Sequence, residues 1–418
     1  MEAIHVHGGV SLQGSVRIHG SKNAALPILA ATILTKDESI ISNCPRISDV
    51  YQMLQLLNAL GCKVCWEGNG IKVDAGNVTQ SKMPTEAITG MRSSLFLMGA
   101  LLGRNREVVM EYPGGCVIGK RPIDLHLEAL QQMGAVFEEK DGRICGKAPE
   151  GLHGADIHWN ISSVGATENI ILAAVTAQGK TKIHGAAREP EVEHLCRYLL
   201  ACGGDIEGVG TDCLCISGGK VLRGTHYTVP ADRIVAGTYL LACLAAGGCV
   251  LLEEAPAHQM ASVLELASFM GAEYQKSENG LYVQAPERLL GVRELITLPY
   301  PDFPTDLQSV ALTAMTAADG ECLIEETIFE NRFRVVEPLR EMGADIRQLD
   351  AARVIVRGPT RLEGREVEAV ELRGGAALVV AGLIAEGETV VRGCRYIDRG
   401  NENICRDLRE LGARIYSV

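Results

Sequence analysis

The chain repeats one pattern six times, and this constrains its fold more than any motif does. The phrases LGCKV, MGAVF, CGGDI, MGAEY, MGADI and LGARI each end a helix-like segment and open a strand-like one. Their glycines, Gly61, Gly134, Gly203, Gly271, Gly343 and Gly412, are separated by 73, 69, 68, 72 and 69 residues. A period this steady marks one supersecondary unit used repeatedly. Glycine just past a helix takes the left-handed conformation without a Cβ penalty, so each marker is expected to stop a helix.

Every unit runs in the same order. An almost wholly apolar helix comes first, as in NAALPILAATILT, SSLFLMGALLG, TENIILAAVTAQG or VAGTYLLACLAAGG; a helix apolar on most faces is a buried one. A short strand follows, as in REVVMEY, KTKIHGA or CVLLEEA. A half-polar helix then ends at the marker glycine. In RPIDLHLEALQQMG its apolar side is Ile123, Leu127 and Leu130, the pattern of an outer helix. Two strands close the unit, joined by turn signals such as GNG, KDG and ENG.

The last copy stops at ARIYSV after one closing strand, and its missing part stands at the other end of the chain. IHVHGGVSLQGSVRIHGSKN (4–23) aligns with VIVRGPTRLEGREVEAVELRGG (354–375). Six units in two groups of three predict one continuous domain over 22–230. The second domain is discontinuous, 1–21 plus 231–418, with a ligand expected in the cleft between two such lobes. The alternative is an open solenoid of stacked repeats, which the first unit's need for the last disfavours.

Composition narrows the function. A formal charge of −12 argues against a general nucleic-acid or anionic-membrane surface. The longest nearly apolar runs, such as AALPILAATIL, fall short of the ~20 residues that span a bilayer. No membrane insertion and a cytoplasmic location are therefore expected. The 14 cysteines scatter through apolar segments, where a free thiol acts as a small hydrophobe. Cys62 and Cys65 form one CxxC with no second pair and no His pair at metal spacing, so no metal site is expected.

Cations stand where helices disfavour them. Lys22, Arg92, Arg121, Arg233, Arg332, Arg373 and Arg399 sit at or just inside apparent helix starts. Each alone reads as a solvated charge or a local ion pair. Together, in an acidic protein, they predict an anion trap suited to a ligand with several phosphates or carboxylates. PYPDFPTDLQ places Asp306 in the first turn of an inner helix, either to satisfy free amides or to act as a general base. In PGGCVIGKRPIDLH, Gly114, Gly115 and Gly119 predict a hinged loop ended by Pro122. Cys116 in that loop reads as chemical rather than structural, and Lys120 and Arg121 favour its thiolate. Proton donation needs the thiol; with an ordinary pKa of about 8.5, both forms are accessible.

With these residues in place, the chain resembles the UDP-N-acetylglucosamine 1-carboxyvinyltransferases, or enolpyruvyl transferases. The resemblance covers essentially the entire chain and rests on GSKNAALPIL, MRSSLFLMGALL, PGGCVIGKRPIDLH, SSVGATENI, REPEV, ADRIVAGTYL, FPTDLQ, TIFENRF and YIDRGNENI. It implies an inside-out α/β barrel, two domains of three βαβαββ units each. It also implies transfer of the enolpyruvyl group of phosphoenolpyruvate to the 3′-hydroxyl of UDP-N-acetylglucosamine, the first committed step of peptidoglycan synthesis, with no metal or organic cofactor. By that resemblance Lys22, Arg121 and Arg399 hold phosphoenolpyruvate. Asn23, Arg92, the run Arg121, Pro122, Ile123, Asp124 and Leu125, then Ser163, Val164, Gly165, Asp306 and Ile328 contact the UDP-sugar. Arg332 and Arg373 complete the expected binding set. Asp306 resembles the residue that accepts or relays the hydroxyl proton, and Cys116 the thiol that protonates the methylene carbon and is alkylated by fosfomycin.

Two positions depart from the family pattern. Ile161 stands where some members have a nucleotide-contacting lysine, and Asp302 where glycine is common. Glu189, Glu191 and Asp232 match the family but read equally as structural. The related shikimate 3-phosphate enolpyruvyl transferase and a non-catalytic UDP-sugar-binding paralogue are the competing readings.

Overall fold

The structure is a computed structural model that describes residues 2–84, 92–112 and 123–418. The expectations for Gly114, Gly115, Cys116, Gly119, Lys120, Arg121 and Pro122 lie outside the described residues. Contacts gather the rest into two compact units, one of 20–84, 92–112 and 123–230, the other of 2–19 and 231–418.

In each unit the apolar helices are inside. The first holds Lys22–Ala31, Phe96–Asn105 and Val164–Ala174; the second holds Arg233–Ala246, Gln308–Ala317 and Leu372–Ile384. In Leu372–Ile384 every residue from Leu372 to Leu383 is buried. Each large side chain on such a helix contributes about 1.5–3 kcal/mol by leaving water. Phe96–Asn105 packs on Val164–Ala174 and on Lys22–Ala31, and the three inner helices of the second unit pack on one another. The first contact is close at Gly99, where a Cβ would lie 2.2 Å from the Asn169 carbonyl oxygen.

Three sheets surround each trio. The third sheet of the first unit shows the full pattern, in the order Ile206–Glu207, Cys213–Ser217, Lys180–His184, Asp156–His158. Asp156–His158 runs parallel to Lys180–His184, with the inner helix Val164–Ala174 crossing between them, and the remaining pairs are antiparallel. With the outer helix Pro190–Ala201 this is a βαβαββ unit. Five sheets have four strands; the sixth has three, with a parallel Lys82–Val109 bridge in place of the edge strand. Among the described residues these are six separate open sheets, and none closes into a β-barrel.

Both units close by borrowing strands. Ala3–His7 pairs antiparallel with both Glu388–Arg392 and Arg414–Ser417, completing the sixth unit from the other end of the sequence. Leu12–Arg17 lies parallel to Gly248–Glu253, and His226–Thr228 parallel to Glu38–Ser42. An open solenoid is thereby ruled out.

The marker glycines do what their position predicts. All six have positive φ, from 86° at Gly412 to 107° at Gly61. In the first unit the Gly61 N–H donates to Asn58 and the Cys62 N–H to Leu57, and the same pair of bonds recurs at the other five markers. This is the Schellman stop, which satisfies carbonyls that the helix leaves open. Gly61 has a second constraint, because a Cβ there would lie 2.4 Å from the Asn77 carbonyl oxygen. Gly61→Ala is predicted to cost on the order of 1–3 kcal/mol, read as a lower urea midpoint; an unchanged midpoint would contradict this account of the repeat.

Candidate active site

Four of the six inner helices, counting the 3-10 turn that leads into Phe96–Asn105, start with an expected cation. Lys22 and Arg233 are the first residues of their helices, Arg373 is the second of Leu372–Ile384, and Arg92 opens the 3-10 turn Arg92–Leu95. Arg332 caps the 3-10 turn Phe333–Val335. Arg399 differs: it follows the short helix Cys394–Ile397 in a turn and does not start a helix. Its neighbours in RGNEN, with Gly400 against Leu372, turn the chain before Ile404–Glu410 begins.

In the second unit three motifs converge on Asp306, which lies in the 3-10 turn Thr305–Leu307 ahead of its inner helix. Asp306 Oδ1 accepts from Arg332 Nη2 at 2.9 Å and Oδ2 from Arg373 Nη2 at 2.7 Å. Both arginine side chains are buried, while Asp306 keeps 24 % exposure and so faces an opening. Burial alone would push the Arg373 guanidinium down, but Asp306, Asp232 and Glu371 together hold it above its ordinary value. The Nε–H groups of Arg332 and Arg373 are buried without an acceptor among the described residues, so donor capacity is left over.

Carboxylates behind this cluster fix it. Glu371 caps Leu372–Ile384 by accepting from the Arg373 and Gly374 N–H groups. Asp232 caps Arg233–Ala246 through Ile234 and Val235, at 2.8 and 3.1 Å. Arg233 lies over the Tyr300 ring, 5.5 Å from its centre. Glu326 accepts from Thr305 Oγ1 through one oxygen and from the Ile328 and Phe329 N–H groups through the other. It thus ties TIFENRF to the Asp306 turn and sets the half-exposed Ile328. Sequence reasoning missed Glu326, although it immediately precedes that motif.

In the first unit Lys22 pairs with Asp49 at 2.6 Å; Asp49 is buried and Lys22 partly so. Asn23 is half-buried beside it. Ser21 and Ser163 cap their inner helices through Ala24 and Ala166. Ile123 is the buried N-cap of Asp124–Gln132, with Asp124 exposed and Leu125 half-buried. RSSL, IDLH and SVGATEN meet at His126: Arg92 acts on it electrostatically, and a Cβ on Gly165 would lie 3.5 Å from its Cε1. Val164 is the half-buried first residue of that inner helix.

His126 and Asn169 were not among the expected site residues, yet they fix this corner. Asn169 Oδ1 accepts from the Gly99 N–H at 2.7 Å, so its Nδ2 must donate to His126 Nδ1 at 2.9 Å. The imidazole is therefore neutral and carries its proton on Nε2. Burial first, and Arg92 second, push it down to about 4. Glu168, one residue earlier, is buried and raised well above the carboxylate range by desolvation, then by Glu191 and Glu189. That burial favours its protonated form. In the single CxxC, Cys62 is buried, with its thiol pushed up to about 12 by desolvation, and Cys65 is exposed.

The His126 shift sets a stability window. Between about 4 and 6.5 the unfolded chain binds the proton that the folded one refuses, so stability rises with pH and is fully present above 6.5. As pH falls through that window the native state is expected to lose roughly 3 kcal/mol on this account. His126→Gln, whose amide oxygen can take the Asn169 bond, is predicted to flatten that part of the unfolding profile; the same slope in both proteins would refute the assignment.

Comparison with known proteins identifies the family. Residues 6–408 match the family model described as EPSP synthase (3-phosphoshikimate 1-carboxyvinyltransferase). The chain is 44% identical over its full 418 residues to UDP-N-acetylglucosamine 1-carboxyvinyltransferase 2 of Caldanaerobacter subterraneus subsp. tengcongensis, covering 100% of both. It is 43% identical to UDP-N-acetylglucosamine 1-carboxyvinyltransferase of Oleidesulfovibrio alaskensis, again over 100% of both chains. In fold it resembles the enolpyruvyl transferase NikO from Streptomyces tendae, with a TM-score of 0.87 at 23% identity, covering 99% of this chain and 98% of that one. EPSP synthase from Acinetobacter baumannii gives a TM-score of 0.78 at 19% identity, over 100% and 99%. Full-length identity to the sugar-nucleotide enzymes, on this shared architecture, places the chain in the enolpyruvyl transferase family, among the UDP-N-acetylglucosamine 1-carboxyvinyltransferases.

Proposed function

We infer that the protein transfers the enolpyruvyl group of phosphoenolpyruvate to the 3′-hydroxyl of UDP-N-acetylglucosamine and releases phosphate, the first committed step of peptidoglycan synthesis. The observation that carries this is the end-to-end identity of 43–44% to relatives of that name. Through peptidoglycan the enzyme serves cell-wall biogenesis, cell shape and division, and its place is the cytoplasm. Among the described residues no helix is long and apolar enough to cross a membrane.

The reaction is an addition followed by an elimination. The sugar oxygen bonds to C2 of phosphoenolpyruvate as C3 gains a proton, and the hydroxyl proton leaves to a base. C3 then loses a proton, the C2–O bond to phosphate breaks, and the double bond re-forms. Cys116 is the acid at C3 and the group that fosfomycin alkylates. Asp306 accepts or relays the hydroxyl proton. Two guanidiniums on its carboxylate hold it in place.

Lys22, Arg121 and Arg399 hold the phosphate and carboxylate of phosphoenolpyruvate, stabilising charge throughout both steps. For Lys22 this means exchanging or sharing Asp49. Asn23, Arg92, Arg121 to Leu125, Ser163 to Gly165, Asp306 and Ile328 contact the UDP-sugar, with Arg332 and Arg373 behind them. The exposed Ile161 removes one nucleotide contact that some family members make. Residues 22–230 form one domain and 1–21 plus 231–418 the other, a division supported by the way contacts gather.

The second reading, transfer to shikimate 3-phosphate, is favoured only by the description of the matching family model. Phosphate release from phosphoenolpyruvate decides between them. It is expected with UDP-N-acetylglucosamine and not with shikimate 3-phosphate; the reverse would overturn the assignment. Cys116→Ser is expected to abolish fosfomycin inactivation and slow turnover severely, and unchanged sensitivity would refute its role. Asp306→Asn should lower kcat far more than it raises KM, because a base acts in the transition state. A large KM effect at unchanged kcat would assign Asp306 to binding alone.

A further inference from the structure

The third sheet of the first unit carries a cluster of side chains that enolpyruvyl transfer does not use. Parallel pairing sets His158 opposite His184, and Asp156, two residues earlier, shares the face of His158. Asp156 Oδ1 lies 3.0 Å from His184 Nε2 and 3.4 Å from His158 Nε2. One ligand atom from each residue can be chosen so that all lie within 4.8 Å of one another. The two rings are parallel, with centroids 4.2 Å apart. On the next strand Cys213 stands opposite His184, and its Sγ is 3.7 Å from His184 Nδ1.

We propose that Asp156, His158 and His184 form a surface site for one divalent ion of the Zn²⁺ class. With metal–ligand bonds of about 2.0–2.1 Å, neighbouring ligands in a tetrahedral site stand about 3.3 Å apart. The two contacts to Asp156, 3.0 and 3.4 Å, are already near this value, the two histidines offer nitrogens within 4.8 Å of each other, and the stacked rings would have to turn so that both nitrogens face one ion. Two imidazoles and one carboxylate are a donor set for Zn²⁺ and its neighbours, whereas Mg²⁺ and Ca²⁺ select oxygen. His184 would ligate through Nε2 while Cys213 meets its other nitrogen, the kind of second contact that fixes a ligating ring. Three protein ligands leave at least one position open, and all three side chains are reachable from solvent, with 39–68 % exposure. The ion would clamp the three-residue edge strand Asp156–His158 onto Lys180–His184. No spacing in the sequence announces the site: the two histidines are 26 residues apart, and only the strand pairing unites them.

The test uses the full-length protein stripped of metal and titrated with Zn²⁺, with binding followed calorimetrically and thermal stability in parallel. The wild type is expected to take up one equivalent and melt at a higher temperature. Asp156→Asn and His184→Ala should each bind at least about tenfold more weakly and lose the thermal shift, while their enolpyruvyl transfer reports that they are folded. Mg²⁺ should produce neither effect. No uptake by the wild type would mean a hydrogen-bonded cluster only. Equal uptake by wild type and variants would mean metal held elsewhere, for example at the exposed Cys65. Either result overturns the proposal.

Discussion

Six helices that are apolar on nearly every face must each be enclosed, and the rest of the molecule follows from that demand. A helix such as Leu372–Ile384 has no polar side to offer water, so it lies among two others and behind sheets and outer helices. Once the sides are covered, only the ends remain for polar chemistry. The inner-helix starts therefore carry charged and hydroxyl residues in each unit: Ser21 and Lys22 in the first, Asp232, Arg233, Glu371 and Arg373 in the second. A helix start with free N–H groups attracts anions, and cations placed there deepen that attraction.

Holding those cations half out of water has a cost that carboxylates offset. Asp49 balances Lys22, and Asp306 balances Arg332 and Arg373. A buried charge without a partner would be strongly destabilising, whereas a paired one is tolerable and is held in a defined place. The same pairs leave a substrate with several negative charges something to compete for. The same rule acts on two further buried groups: desolvation pushes His126 toward its neutral form and Glu168 toward its protonated one.

The repeat was legible because its punctuation is local. A glycine that must adopt positive φ after a helix looks the same wherever it falls in the chain, and all six did. The inner helices were equally plain, since continuous apolar composition needs no partner to be recognised. The edge strands were harder. Asp156–His158, His226–Thr228 and Glu366–Glu368 have three residues each, too few to show a period, and pairing alone defines them. Arg399 looked like one more helix-start cation because it is embedded in a polar, glycine-containing phrase, but the helix there lies before it.

The sequence by itself determined the sixfold unit, the closure of the last copy by the first strands, the buried helices and the family motifs. It could do so because each depends on neighbours within a few residues, on composition, or, for the closure, on the likeness of one repeat to another. The tertiary structure decided which groups meet: Asp306 with two arginines from 26 and 67 residues away, Asn169 with His126 from 43, and His158 with His184 across a parallel pair. Such encounters are set by strand register and helix packing, in which a one-residue slip would turn each side chain to the opposite face. No local pattern encodes that choice; the sum of buried contacts makes it.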